Sequence, residues 1–156
     1  MTDVWWAQAV HIDWIQRVLF SFHHWTGRDL FERRGTPYQE AEHAYGAPFI
    51  LVSHDDQDDP ILNYGNRAAL ALWEMPWETF SRTPSRLTAE VRDRTERARM
   101  LTDAANCGVI SDYRGVRISS SGRRFLIEQA DVWNVLDPES RKVGQAASFS
   151  AWHWLD

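Results

Sequence analysis

Cysteine is almost absent: Cys107 is the only one in 156 residues. One thiol excludes an internal disulfide framework and a cysteine-based zinc site, and a reducing compartment is its simplest setting. An excess of positive charge is also missing. Lys and Arg number 17 against 22 Asp and Glu, for a formal charge of −5. A general nucleic-acid binder, or a protein drawn to an anionic membrane, needs a field of the opposite sign. No window is apolar for long enough to cross a bilayer; Gln8, His11, Asp13, Gln16 and Arg17 interrupt the best candidate. The opening Met-Thr-Asp-Val-Trp-Trp has no basic segment leading into an apolar run, so no signal peptide is expected. These absences lead to the expectation of a cytoplasmic protein without nucleic-acid or membrane partners.

Catalytic and metal-binding signatures are equally scarce. None of the six histidines, His11, His23, His24, His43, His54 and His153, forms a His-x-x-x-His pair or a Glu-linked zinc motif. They read as surface residues, and no metal site is expected. Asp55, Asp56, Asp58 and Asp59 lack the spacing and glycine of a calcium loop and read as a solvated turn. Ser119, Ser120 and Ser121 sit in a turn without a nucleophile-elbow context. No glycine-rich phosphate loop is present.

What the chain has is tryptophan, nine in all. Each buries a large area and needs a partner for its indole N–H. So many in one small chain point to a thick aromatic core, an aromatic-lined cavity or a sticky surface.

Trp6, Val10, Trp14, Val18, Phe22 and Trp25 recur at helical spacing and predict an amphipathic helix over 3–25. Thr2 or Asp3 would cap it and Gly27 would end it. A second helix is expected at 37–45, opened by a Thr36-x-x-Gln39 capping box with Pro37 in the first turn. Residues 48–53 and 61–64 read as short strands, and Asn66 as the cap of a helix carrying Leu72 and Trp73. One helical turn is possible at 77–80. A longer helix is predicted over 89–107, with Val91, Ala98, Leu101 and Ala105 as its apolar stripe. Its wet face would carry Glu90–Arg94 and Asp93–Arg97 pairs. Arg92, Arg94, Arg97 and Arg99 therefore read as neutralised by neighbouring acids. Residues 109–119, 124–136 and 143–154 alternate as strands, with turn sequences between them, and predict an antiparallel meander. The fold class is α+β.

This order resembles the PAS family, and more narrowly the stand-alone MEKHLA domain proteins. The residues that carry the resemblance are Asn63-Tyr64-Gly65-Asn66-Arg67-Ala68-Ala69-Leu70 and the strand run from Phe125, Ile127, Glu128, Ala130, Val132, Trp133 and Val135 to Asp137. Gly144-Gln145-Ala146-Ala147 with Phe149 completes the pair, and Pro84–Thr88 and Arg117–Arg123 narrow it to MEKHLA. The match is read over about residues 40–152. It implies a PAS-like five-stranded antiparallel sheet with flanking helices, preceded here by an N-terminal helical extension. The expected division is residues 1–46 for the extension and 47–156 for the PAS-like domain, in one compact unit.

The resemblance further implies a sensor or interaction module, with space for a small apolar or aromatic ligand between sheet and helices and no catalysis. The candidate ligand residues are Trp73, Trp77, Glu128, Gln129, Trp133 and Gln145. Glu128 and Gln129 point in opposite directions from one strand, so one of them should face the helices. MEKHLA domains also end plant class III homeodomain-leucine-zipper regulators; this chain has neither a homeodomain nor a zipper, so that role does not carry over. Haem is not expected, because the long helix that usually supplies its histidine in this family has none here. Covalent flavin photochemistry is not expected either, since Asn106-Cys107-Gly108 departs from the Asn-Cys-Arg motif. The identity of any cofactor stays open.

The N-terminal helix is apolar around more than half its circumference. Its Trp5, Trp6, Val10, Trp14, Val18 and Phe22 are the candidate interface of a homodimer. The rival is intramolecular, with the helix lying over the outer sheet face with help from 37–45. The rival function is a dehydratase or isomerase on a cone-shaped α+β barrel, which needs an inward histidine and carboxylate within hydrogen-bond reach.

Overall fold

The structure, a computed structural model, describes residues 4–155. After a 3-10 turn at Trp5–Ala7 come helices α1 (Ala9–Thr26) and α2 (Pro37–Gly46) and strands β1 (Ile50–Asp55) and β2 (Leu62–Gly65). Helices α3 (Arg67–Trp73), α4 (Trp77–Phe80) and α5 (Arg94–Cys107) follow, then strands β3 (Val109–Ile118), β4 (Arg124–Leu136), β5 (Lys142–Phe149) and β6 (Ala151–Trp154). All strand pairings are antiparallel, and the spatial order is β2-β1-β5-β4-β3. β6 continues β5 along β4: Asp131 faces Ser148 and Glu128 faces Ala151, so the register is the same on both sides of Ser150. The expected five-stranded sheet is therefore present, with its last strand interrupted once.

Local chemistry sets the boundaries. Thr36 Oγ1 accepts from the Gln39 N–H while the Gln39 side chain returns to the Thr36 N–H, a complete capping box. Asn66 Oδ1 caps α3 through the Ala69 N–H at 3.1 Å. Gly108 ends α5 at φ 89°, where a Cβ would lie 2.3 Å from the Trp25 ring. Both its backbone angle and the close aromatic neighbour require glycine.

The N-terminal helix differs from the expected 3–25 in one way. The chain turns at Trp5–Ala7, extends at Gln8 and starts α1 only at Ala9, which lets Trp5 stack on Trp77 at 3.5 Å. The expected caps Thr2 and Asp3 lie outside the described residues. α1 then lies across the outer sheet face. Ile15, Val18, Leu19 and Phe22 are buried there. Trp133 Nε1 donates to Val18 O at 3.2 Å, Trp25 Nε1 to Asn134 O at 2.9 Å, Trp14 Nε1 to Ser53 Oγ at 2.8 Å, and Leu136 N–H to Ser21 Oγ at 2.8 Å. The intramolecular arrangement is thus the one the structure shows. Of the candidate dimer residues, Trp5, Trp6, Val18 and Phe22 are buried in the chain's own core and Trp14 is half-buried; Val10 remains exposed, and Phe20 is exposed with it. Within the chain, much of that apolar surface packs against the sheet, α2 and the α4 region. α2 is tied in through Glu40, which holds Arg33 at 2.7 Å and accepts from Gln16 at 3.0 Å. These contacts keep its carboxyl below the usual range.

α5 turns a different face to the sheet from the one its apolar residues suggested. Arg97, Met100 and Ala104 are buried, whereas Val91 is 75% exposed. The expected Glu90–Arg94 and Asp93–Arg97 pairs are replaced: Arg94 Nε donates to Ala89 O at 3.0 Å, and Glu90 meets Arg124 at 2.7 Å. Arg97 is inside the protein.

Candidate functional site

The inner sheet face and helices α3–α5 line a partly open cavity of about 70 Å³. β1 contributes Val52 and His54; β5 contributes Gln145, Ala147 and Phe149; β4 contributes Ile127, Ala130 and Val132. Trp73 and Phe80 close one end, Met100 and Leu101 cover the cavity from α5, and Arg97, Tyr113 and Arg117 complete the wall. Most of the lining is hydrocarbon or aromatic carbon.

Irregularities in the sheet decide which side chains reach this space. Gln129 adopts φ 56° and Asp112 φ 59°. The β3–β4 register shifts around Tyr113 on both sides, so one bulge offsets the other. In β4 the inward residues are therefore odd before the bulge and even after it. Phe125 packs on Trp73 at 5.2 Å and Ile127 lines the cavity; beyond Gln129 the inward positions are Ala130, Val132 and Asn134.

This explains where the candidate ligand residues lie. Trp73 and Gln145 line the cavity. Gln129 is exposed at the bulge itself, and Glu128 is only partly buried, beside Arg114 at 3.8 Å and His153 at 4.0 Å. Trp133 is fully buried on the outer face, with its ring 4.8 Å from Phe22. Trp77 stacks on Trp5, outside the cavity wall. Alternation alone placed Glu128 or Gln129 inward; the bulge removes both from the site. Gln145 is chiefly a tether. Its Nε2 donates to Leu101 O at 3.0 Å and to Asn134 Oδ1 at 3.3 Å, while Asn134 Nδ2 donates to Ala105 O at 3.1 Å, so two strand amides hold α5 against the sheet.

The polar groups that do face the cavity have no motif in the sequence to mark them. His54 is 7% exposed, contrary to the surface reading of the histidines. Its Nδ1 lies 2.7 Å from Asp55 O, which fixes Nδ1 as the protonated nitrogen, and Nε2 has no hydrogen-bond partner among the described residues. Burial, helped by the fields of Arg97 and Lys142, lowers its pKa to about 4. Trp73 Nε1, buried at the same cavity, also has no partner among the described residues. Burial raises the pKa of Tyr113, whose hydroxyl donates to Glu96 Oε2 at 2.9 Å and accepts from Arg117 Nη2 at 3.1 Å. Two stretches that carry the resemblance meet here. Pro84–Thr88 supplies Ser85 Oγ to Arg97 Nη2 at 2.9 Å and places Thr88 in the wall; Arg117–Arg123 supplies Arg117 and a serine turn that latches onto Glu74.

A sheet in this order, with helices on its inner face and a cavity between, defines a PAS-like domain. Solved structures of that class are similar to it. The PAS domain of a protein from Colwellia psychrerythraea is 17% identical, with a TM-score of 0.60 over 75% of this chain and 94% of that one. The LOV domain of a blue-light activated histidine kinase from Erythrobacter litoralis EL346 is 18% identical, with a TM-score of 0.56 over 70% and 97%. A light-oxygen-voltage domain at 12% identity gives 0.59 over 76% and 86%. Within this class the chain belongs to the MEKHLA domain family, whose pattern matches residues 12–154. The match begins inside α1, so most of the N-terminal helix belongs to the family unit and the match extends well upstream of residue 40. No curated protein matches the chain. Among the described residues, no helix is long and apolar enough to cross a membrane.

Proposed function

We propose that the protein is a sensor or interaction module that holds a small ligand between the inner sheet face and helices α3–α5, without catalysing a reaction on it. The observation that carries this reading is the cavity wall. It joins an apolar lining to two buried groups, Trp73 Nε1 and His54 Nε2, with no hydrogen-bond partner among the described residues. Buried polar atoms are nearly always satisfied, and unsatisfied ones facing a cavity point to an occupant. The PAS-like fold and the MEKHLA assignment support the same reading.

The enzyme alternative needs a carboxylate next to an inward histidine. His54 is inward, but its hydrogen bond goes to a backbone carbonyl, and no carboxylate of a described residue is within hydrogen-bond reach. The flavin chemistry associated with a light-oxygen-voltage neighbour does not fit these residues. The cavity of about 70 Å³ is far below the roughly 300–1,000 Å³ of clefts that hold ligands of flavin size. Cys107, the one thiol, is exposed at the end of α5 and outside the wall.

Native mass spectrometry of the protein purified from its own host tests the proposal. A non-covalent small-molecule adduct is expected on the wild type. It should be lost in Ala130→Leu, which adds three carbons to a fully enclosed position of the wall. A wild type with no adduct, or an adduct that survives in a folded Ala130→Leu variant, would count against the proposal.

A further inference from the structure

The cavity wall holds two cations. Arg97 is 8% exposed and Arg117 5%. Among the described residues, Arg97 gives one hydrogen bond, to Ser85 Oγ at 2.9 Å. Arg117 gives two, to Val116 O at 2.8 Å and to the Tyr113 hydroxyl at 3.1 Å. All these acceptors are neutral, and a guanidinium has five N–H groups to place. No carboxylate oxygen of a described residue lies within 4.0 Å of either guanidinium. Glu96, on the same helix as Arg97, accepts from Tyr113 instead. Buried charges are normally paired, because desolvating a lone ion is among the most costly features a fold can carry. Two of one sign around one cavity repel as well: burial and the neighbouring Arg117 bring the Arg97 pKa down to about 10.

We infer that the cavity binds a small organic carboxylate, with its carboxyl group against Arg97 and Arg117 and its apolar tail against Met100, Ile127 and Val132. This rests on the ligand-binding reading above and adds the chemical class. A carboxylate supplies the missing counter-charge, and its planar oxygens match the guanidinium fork. The mainly hydrocarbon lining favours an organic anion over a fully hydrated inorganic one. The volume limits the tail to a few carbons. Trp73 Nε1 and His54 Nε2 offer a donor and an acceptor to any further polar substituent.

The test uses full-length protein with butyrate, its neutral isostere butyramide and inorganic phosphate, followed by calorimetry and thermal shift. Butyrate should bind and raise the melting temperature. Butyramide and phosphate should bind about tenfold more weakly or worse, since charge-assisted hydrogen bonds are about twice as strong as neutral ones and phosphate has no tail. Arg97→Met should lower butyrate affinity by about tenfold or more, while melting no lower than the wild type when unliganded. Arg97→Lys keeps the charge and should retain part of the binding, which guards against a folding artefact. Equal affinities for butyrate and butyramide would overturn the anion assignment and leave the binding module standing. So would unchanged butyrate binding in Arg97→Met. Phosphate binding as tight as butyrate would overturn the organic tail. If no probe binds and the native protein also carries no cavity-dependent adduct, the inference and the functional proposal fall together.

Discussion

Replacing Asn66 with alanine is expected to remove about 4 kcal/mol of stability, the sum of a lost helix cap of about 1 kcal/mol and orphaned buried backbone groups at about 1–3 kcal/mol each. The side chain is fully buried, and all four of its hydrogen-bonding positions are used. Oδ1 accepts from Leu51 N–H at 3.2 Å and Ala69 N–H at 3.1 Å; Nδ2 donates to Ala44 O at 3.2 Å and Phe49 O at 2.8 Å. One amide therefore joins the end of α2, the entry and body of β1, and the start of α3. Alanine leaves these groups facing one another across a space that water cannot easily reach. Against a total stability of about 5–15 kcal/mol, such a loss is severe. It corresponds to a melting temperature lower by about 10 °C for a chain of this size. Asn66→Asp keeps the two acceptor bonds but turns a carboxylate oxygen toward the Ala44 and Phe49 carbonyls in a fully buried site, so at neutral pH it should destabilise at least as much as alanine. Urea unfolding followed by tryptophan fluorescence measures both. A loss below about 1 kcal/mol, no more than a single cap, would show that this junction is not a stabilising one.

The second large effect is on acid stability. His54 is buried and neutral, with its pKa lowered from 6.5 to about 4. Between these values the unfolded chain binds a proton that the folded one refuses, so stability rises with pH across this window. Acidification from neutrality should therefore begin to destabilise the fold below pH 6.5 and reach the full effect near pH 4. The integrated loss is about 3 kcal/mol, at about 1.4 kcal/mol for each pH unit of the window. Other groups, such as Glu40, also lose stabilising interactions as pH falls. The diagnostic quantity is thus the difference between the wild type and His54→Gln. The variant should show the shallower decline between pH 6.5 and 4, and parallel curves would mean that His54 is not held neutral by burial.

Much of the architecture is legible in the sequence because it rests on local chemistry. The Thr36–Gln39 box, the Asn66 cap, the stop at Gly108 and the alternating runs of the final meander all act over a few residues, and each forms as expected. The site is less legible because it depends on departures from regular periods. A strand's side chains alternate only while its backbone stays regular, and the positive φ of Gln129 reverses the inward parity of β4 halfway along. That one residue sends Gln129 to solvent, leaves Glu128 beside Arg114 and His153 and assigns Trp133 to the α1 face. In α5 the choice of stripe followed the apolar residues. The stripe that packs runs through Arg97, Met100 and Ala104, and the charge at its first position hid it. A helical wheel that allowed one arginine inside would have found it, since positions 97, 100, 101 and 104 recur at 3.6-residue spacing. Trp5 and Trp77 illustrate a third limit. Their stacking joins segments far apart in the chain, and no local pattern reports such a pairing.

Whether a ligand occupies the space between the inner sheet face and α3–α5 is read most directly from the indole N–H spectrum of 15N-tryptophan-labelled protein. The spectrum is recorded on protein as purified from its own host and again after its bound small molecules are removed, with Trp73→Phe to assign one signal. Trp14, Trp25 and Trp133 donate their indole N–H to protein oxygens on the α1 side, whereas Trp73 lines the cavity and its buried Nε1 has no partner among the described residues. Removal of the ligand is expected to shift the Trp73 resonance and to leave those of Trp14, Trp25 and Trp133 in place. A Trp73 resonance identical in the two samples, or changes confined to the α1 indoles, would contradict occupancy of this cavity.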